Sequence, residues 1–95
     1  MTEEKRELSV PPDVEAQGGS EILRLFVTDG ALSLSMQRAF AAPEMWGQLL
    51  AELARQVAEV YARETQMDAE EALAEIRMAL ELSFDRLEAD RGAIN

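Results

Sequence analysis

The chain has 95 residues, of which 9 are basic and 19 acidic, so its net charge is -10, and it contains neither cysteine nor histidine. A chain of this length forms one domain at most, and without thiol or imidazole it has no disulfide, no thiolate metal site and no histidine base. The negative charge disfavours nucleic acid and anionic membrane, because both are bound through Lys and Arg.

The apolar residues do not form a run that approaches the roughly 18 needed to cross a bilayer. The N-terminal sequence MTEEKREL lacks the apolar region of a signal peptide. We therefore expect a soluble cytoplasmic protein.

Residues 1–20 are polar, contain Pro11-Pro12 and end in Gly18-Gly19-Ser20. This composition is typical of a flexible N-terminal tail with a linker. Within the tail, residues 8–10 precede a proline and are compatible with a short extended segment that adds a strand.

Residues 21–28 (EILRLFVT) and 31–40 (ALSLSMQRAF) alternate apolar and polar side chains, which predicts two strands. Asp29-Gly30 between them suits a type I′ turn, and this turn explains both residues without a ligand. A two-residue loop places one set of residues on an apolar face: Leu23, Leu25, Val27, Leu32, Leu34 and Met36. The outer face then carries Ile22, Arg24, Phe26, Thr28, Ser33, Ser35 and Gln37.

A first helix is predicted over residues 43–65, since proline is well placed in a first helical turn. Its large apolar residues recur at three- and four-residue steps and form what we call the bulky stripe: Trp46, Leu49, Leu50, Leu53, Val57, Val60 and Tyr61. Beside it lies a small ridge that allows another element to approach closely: Gly47, Ala51, Ala54, Ala58 and Ala62. Trp46 is interpreted as a core anchor, with the wall of a binding pocket as the alternative.

A second helix begins near Asp68, which can cap it together with Glu71, and it runs to about residue 90. Its predicted buried face consists of Leu73, Ile76, Leu80, Phe84 and Leu87. Because only three residues separate the two helices, they should be antiparallel neighbours. The prediction is an α+β fold of order ββαα, in which the hairpin packs on the helical pair in two layers. The single domain would span residues 21–90, followed by a C-terminal tail at 91–95.

Two features that the predicted core does not explain form a candidate partner surface, one on the hairpin and one on the second helix. A two-stranded ribbon has open edges that a third strand or a second chain must satisfy, and Ile22 and Phe26 on its outer face favour a further packing partner. On the second helix, Met78 and Leu82 lie four residues apart with Glu75, Glu81 and Asp85 around them. The alternative interpretation of that helix is a solvated acidic face with two stray apolar residues.

The segments EILRLFVTDGALSLSM and APEMWGQLLAELARQVAEVYARE resemble a family of short bacterial proteins described only as a domain of unknown function. In that family a strand, a Gly-containing turn and a second strand lead into P-x-x-WG-x-LLA-x-LAR and then a second acidic helix. The resemblance covers about residues 21–87 and implies kinship of fold without any activity. An acidic residue precedes the proline in the family, whereas Ala42 stands here.

The residue patterns give no catalytic, cofactor-binding or metal-binding constellation, since the carboxylates lie on polar helix faces. We therefore expect a non-enzymatic protein-protein interaction module, homodimeric through the hairpin edge, rather than a binder of nucleic acid or membrane. One alternative is an acidic mimic of nucleic acid that occupies a basic protein surface. Another is a carboxylate-based enzyme or small-ligand carrier with a pocket near Trp46 and Tyr61.

Overall fold

A computed structural model describes residues 4–94 of the chain, with side chains as far as residue 90. The elements in chain order are α1 (Pro12–Gln17), β1 (Leu23–Thr28), β2 (Ala31–Met36), α2 (Glu44–Glu64) and α3 (Ala69–Ile94). The hairpin followed by two helices confirms the predicted α+β class and the ββαα order. The chain divides into two compact units, one reaching to Ala41 and one starting at Ala42, and each is described by itself.

The hairpin has the register that the sequence predicts. Its two antiparallel strands pair Leu25 with Leu34, and the partners toward the turn follow in step. Asp29 and Gly30 both have positive φ, 54° and 77°, as a type I′ turn requires. Since side chains alternate between the two faces of a strand, the six apolar-face residues share one side of the ribbon.

The N-terminal region contains a short helix, α1, that the tail prediction does not include. Pro12 occupies its first position, and the N–H of Gly18 closes it by donating to the C=O of Val14 at 2.7 Å. Gly18 has φ 79°, a conformation that glycine adopts without strain. Among the described residues the sheet consists of β1 and β2 alone, so residues 8–10 add no strand. Residues 1–3 of the predicted tail lie outside the described residues.

Helices α2 and α3 begin and end where local hydrogen bonds allow. Pro43 precedes α2 without a side-chain cap. At the other end the Thr65 hydroxyl donates to the C=O of Tyr61 at 2.7 Å. The Asp68 carboxylate accepts from the N–H of Glu70 at 3.1 Å, which confirms it as the cap of α3. Helix α3 continues to Ile94, beyond the predicted end at about 90, while Asn95 lies outside the described residues.

The two helices contact each other through alanine. Ala58 of α2 and Ala72 of α3 are 1% and 3% exposed, and they are the only buried hydrophobic residues in the part of the chain with described side chains. Ala54, Ala62 and Ile76 are half-buried beside them. The C-terminal part of the small ridge, from Ala54 to Ala62, therefore packs against α3, whereas Gly47 and Ala51 are exposed and no atom lies within 4 Å of a Cβ added at Gly47.

The predicted burial of the larger side chains is wrong for most of them. Five members of the bulky stripe are 37–48% exposed: Leu50, Leu53, Val57, Val60 and Tyr61. On α3, Leu73 and Ile76 are half-buried, but Leu80, Phe84 and Leu87 are exposed. Successive residues of a helix differ by about 100° around its axis, so Val57 points away from the direction in which Ala58 meets α3.

Candidate interaction surfaces

The apolar face of the hairpin is the first exposed surface. Leu23 is half-buried, and the other five side chains of this face are exposed. Pairs of apolar residues stand opposite each other along its whole length, from Val27 and Leu32 near the turn to Leu23 and Met36 at the open end. A continuous apolar surface of this kind is typical of a protein interface.

The outer face of the hairpin differs, because a cation lies over its aromatic ring. The guanidinium carbon of Arg24 is 5.5 Å from the centroid of the Phe26 ring, within the range of a cation–π contact. The predicted partner residues Ile22 and Phe26 are both half-buried. This part of the predicted surface is therefore only partly accessible.

Arg24 also holds the N-terminal segment beside β1. Its Nη2 lies 2.8 Å from Glu7 Oε2, and its Nε lies 2.9 Å from Glu21 Oε2. The hydrogen bond from Arg24, together with the positive charge of Lys5, lowers the pKa of Glu7 below its ordinary value. The same carboxylates raise the pKa of Arg24. An open groove of about 770 Å³ runs here between residues 4–6 and residues 25–28, with Ser33 also lining it.

The bulky stripe of α2 is the second exposed surface. Trp46 and Leu49 at its N-terminal end are half-buried, and Leu50, Leu53 and Val57 that follow are exposed. The polar side of the same helix carries a salt bridge between Arg55 Nη2 and Glu52 Oε2 at 2.6 Å, which lowers the pKa of Glu52. Helix α2 therefore exposes large apolar side chains on one side and polar side chains joined by a salt bridge on another.

The acidic surface of α3 is the third. Met78 and Leu82 are 64% and 62% exposed, and the predicted rim residues Glu75, Glu81 and Asp85 are exposed as well. Residues 68–90 contain eight acidic residues against two arginines. Met78 and Leu82 therefore belong to one α3 surface, whereas Ile22 and Phe26 belong to the hairpin unit.

Sequence reasoning misses the apolar face and the bulky stripe as candidate surfaces, because it assigns both to the core. The small number of strands and helices in each unit does indicate that such apolar sides stay exposed. Taken by itself, each unit is one layer thick, a two-stranded ribbon or a pair of helices, and a single layer does not cover its own apolar side.

Two kinds of feature were sought among the described residues, clusters of metal-ligating side chains and membrane-spanning helices. No group of three or more acidic side chains among them is arranged to hold a metal ion. None of the described helices is long and apolar enough to span a bilayer.

Comparison with known families shows to which family the chain belongs. The family described as "Domain of unknown function (DUF5076)" matches residues 7–87. The chain belongs to this family. Membership in DUF5076 confirms the resemblance drawn from the strand pair and the WG-containing helix, and it extends that resemblance back to residue 7.

Among solved structures, a bacterial protein is similar to this DUF5076 chain over nearly its whole length. It is a protein of the photosynthetic bacterium Rhodopseudomonas palustrus CGA009, described as "a putative pyruvate dehydrogenase". It is 45% identical, the match covers 90% of this chain and 99% of that chain, and the TM-score is 0.66. No curated protein matches the chain significantly.

Proposed function

We propose that this DUF5076 protein is a non-enzymatic protein-binding module that acts by covering its exposed apolar side chains with another chain. The observation that carries the proposal is the identity of the buried residues: Ala58 and Ala72 are buried, while Leu53 and Leu34 are exposed. Burial of apolar area is the main favourable term in protein association. Large side chains left outside are therefore available to a partner.

The exposed residues of the bulky stripe have the form of a helix that packs into a groove or a bundle. Leu50, Leu53, Val57 and Val60 recur at three- and four-residue steps, the spacing by which amphipathic helices are recognised. Each large side chain contributes about 1.5–3 kcal/mol when it passes from full exposure to full burial. At 37–48% exposure, each of these four would contribute roughly 1 kcal/mol.

The experiment compares affinity capture from the native cell by the wild-type chain and by a Leu53→Glu variant. Leu53 is 42% exposed, so the variant should fold while placing a charge in the middle of the bulky stripe. We expect the wild-type chain to retain a defined set of proteins and Leu53→Glu to lose it. The matched control is Gln48→Glu, which adds the same charge at an exposed position of the same helix. Equal capture by wild-type chain and both variants would contradict the proposal.

The description of the Rhodopseudomonas palustrus protein raises oxidation of pyruvate as another role. For this chain we favour binding, because a catalyst without histidine or cysteine must rely on carboxylates, Arg, Tyr61 or Lys5. We expect no pyruvate-dependent reduction of an electron acceptor by the purified protein above the rate without protein. Turnover that rises in proportion to protein concentration would overturn the non-enzymatic assignment.

The acidic surface of α3 supports a second candidate partner, a basic protein surface. The eight acidic residues in 68–90 give this helix most of the negative charge, and such a field attracts a basic partner and accelerates its association. Binding of this kind weakens steeply with salt because charges are screened. A partner that stays bound to α3 at about 1 M salt would argue against recognition by charge.

A further inference from the structure

The edges of the hairpin carry backbone groups whose direction follows from its register. In a hairpin with a two-residue turn the residues next to the turn exchange hydrogen bonds, and every second pair along the ribbon does so. The N–H of Gln37 donates to the C=O of Ile22 at 3.1 Å, as this alternation requires. The N–H and C=O groups of Leu32, Leu34 and Met36 consequently point away from β1.

The same three residues carry apolar side chains on one face of the ribbon. Their backbone groups form a row along the outer edge of β2, and all of their side chains are exposed. No other strand pairs with β2 anywhere in residues 4–94. An exposed strand edge with apolar side chains is a template for pairing with another strand.

The two strands of the hairpin differ in their contacts with the N-terminal segment. Glu7 of that segment is attached to the side chain of Arg24 on β1 at 2.8 Å. Residues 4–6 line a groove together with residues 25–28 of β1 and with Ser33 of β2. Because these contacts join the segment mainly to β1, the edge of β2 is the more accessible of the two for a further strand.

The hairpin segment itself carries no net charge, which favours contact between two copies there. Residues 21–40 contain two acidic and two basic side chains, although the whole chain carries a charge of -10. A row of alternating N–H and C=O groups is self-complementary when two copies run antiparallel. The twofold symmetry of the commonest homodimers is of this kind.

We propose that a second copy of this chain occupies the outer edge of β2, antiparallel and with Leu34 opposite the partner's Leu34. The inference rests on the proposed function as a binding module, and it names the partner and the contact. In this register Leu32 stands opposite the partner's Met36, so the N–H and C=O of all three outward residues are used. A shift that places Ser33 on the twofold axis would leave Met36 opposite the turn.

The paired hairpins form a four-stranded sheet with the strand order β1, β2, β2 of the partner, β1 of the partner. The apolar faces of both copies lie on the same side, because pairing an outward residue with an outward residue preserves the alternation of side chains. Each copy contributes six apolar side chains to this continuous face.

The test uses the absence of cysteine, which makes any introduced thiol unique. Leu34→Cys would place two thiols opposite each other in a hydrogen-bonded pair, where the Cα atoms are about 5.5 Å apart and a disulfide can form. The matched control is Leu25→Cys on β1, since Leu25 and Leu34 are both 48% exposed. After mild oxidation at micromolar protein we expect at least tenfold more covalent dimer from Leu34→Cys than from Leu25→Cys.

A second pair of variants removes the N–H alone. Leu34→Pro deletes one donor from each copy, hence two hydrogen bonds per dimer, and we expect the dissociation constant in sedimentation equilibrium to rise about tenfold or more. Leu25→Pro removes an equivalent outward N–H from the β1 edge. The proposed dimer does not use this N–H, so the dissociation constant should stay within about threefold of the wild-type value.

Equal covalent dimer from the two cysteine variants, or more from Leu25→Cys, would overturn pairing through β2. A wild-type chain that stays monomeric up to about 100 μM would do the same, since specific dimers generally form well below that concentration. Loss of captured proteins by Leu53→Glu would meanwhile leave the protein-binding function standing, so the failures of the two proposals can be told apart.

Discussion

The alanine contact between α2 and α3 predicts a strong penalty for one added side chain. Ala58 is 1% exposed and lies on the side of α2 that meets α3, where Ala72 is 3% exposed. Ala58→Leu adds three carbon atoms at a position that is already enclosed on all sides. The helices must then move apart or the new side chain must leave its preferred rotamer.

The expected cost is about 2 kcal/mol, in the middle of the range of roughly 1–3 kcal/mol for overpacking a filled site. A chain of this size has a free energy of unfolding of about 5–14 kcal/mol, so the loss is a substantial share of it. In a domain of this size 1 kcal/mol shifts the melting temperature by about 4–8 °C, and Ala58→Leu should therefore lower it by roughly 8–16 °C.

The assay is thermal unfolding followed by circular dichroism at 222 nm, at one fixed protein concentration because association would also shift the midpoint. The control is Ala51→Leu, the same substitution at an exposed position of the same helix, with an expected change within about 0.5 kcal/mol. A melting temperature of Ala58→Leu equal to that of Ala51→Leu would refute the idea that α2 and α3 pack through small side chains.

Three further outcomes follow from the local geometry. Gly30→Ala should cost about 1–2 kcal/mol, because φ is +77° there although no atom lies within 4 Å of an added Cβ; an unchanged urea midpoint would contradict this. Asp68→Ala should lose the hydrogen bond to the N–H of Glu70 and about 1 kcal/mol, while Asp68→Asn should unfold like the wild-type chain in the same urea titration. In an NMR pH series the pKa of Glu7 should lie below its ordinary value, because Arg24 donates a hydrogen bond to its carboxylate, and it should return toward that value in Arg24→Gln. Because its folded pKa is lowered, the bridge to Arg24 contributes above the ordinary pKa and is lost as pH falls through the lowered one.

The elements that are fixed by short-range chemistry could be predicted from the sequence. The turn at Asp29-Gly30, the strand register, the cap at Asp68 and both longer helices follow from alternation, periodicity and turn residues. The short helix α1 was missed, although Pro12 at its first position and Gly18 after its end are the usual start and stop signals.

The candidate surfaces were harder to predict, since periodicity marks an apolar side without identifying what covers it. The bulky stripe satisfies the pattern of a core helix, yet α3 packs on Ala58 and leaves Leu53 exposed. Which of two adjacent sides of a helix meets its neighbour depends on how closely the backbones can approach. That choice is a tertiary property, which the apolar periodicity does not encode, although the small ridge marks the side on which a close approach is possible.

The alanine contact also has a consequence for the order of folding events. Alanine has no side-chain rotamers to lose on burial, and only residues 65–68 connect α2 to α3, so this contact closes a very short loop. Contacts between near neighbours in sequence form fast. The helical pair should therefore form early in folding and independently of protein concentration. Its larger side chains would then stay exposed until another chain binds.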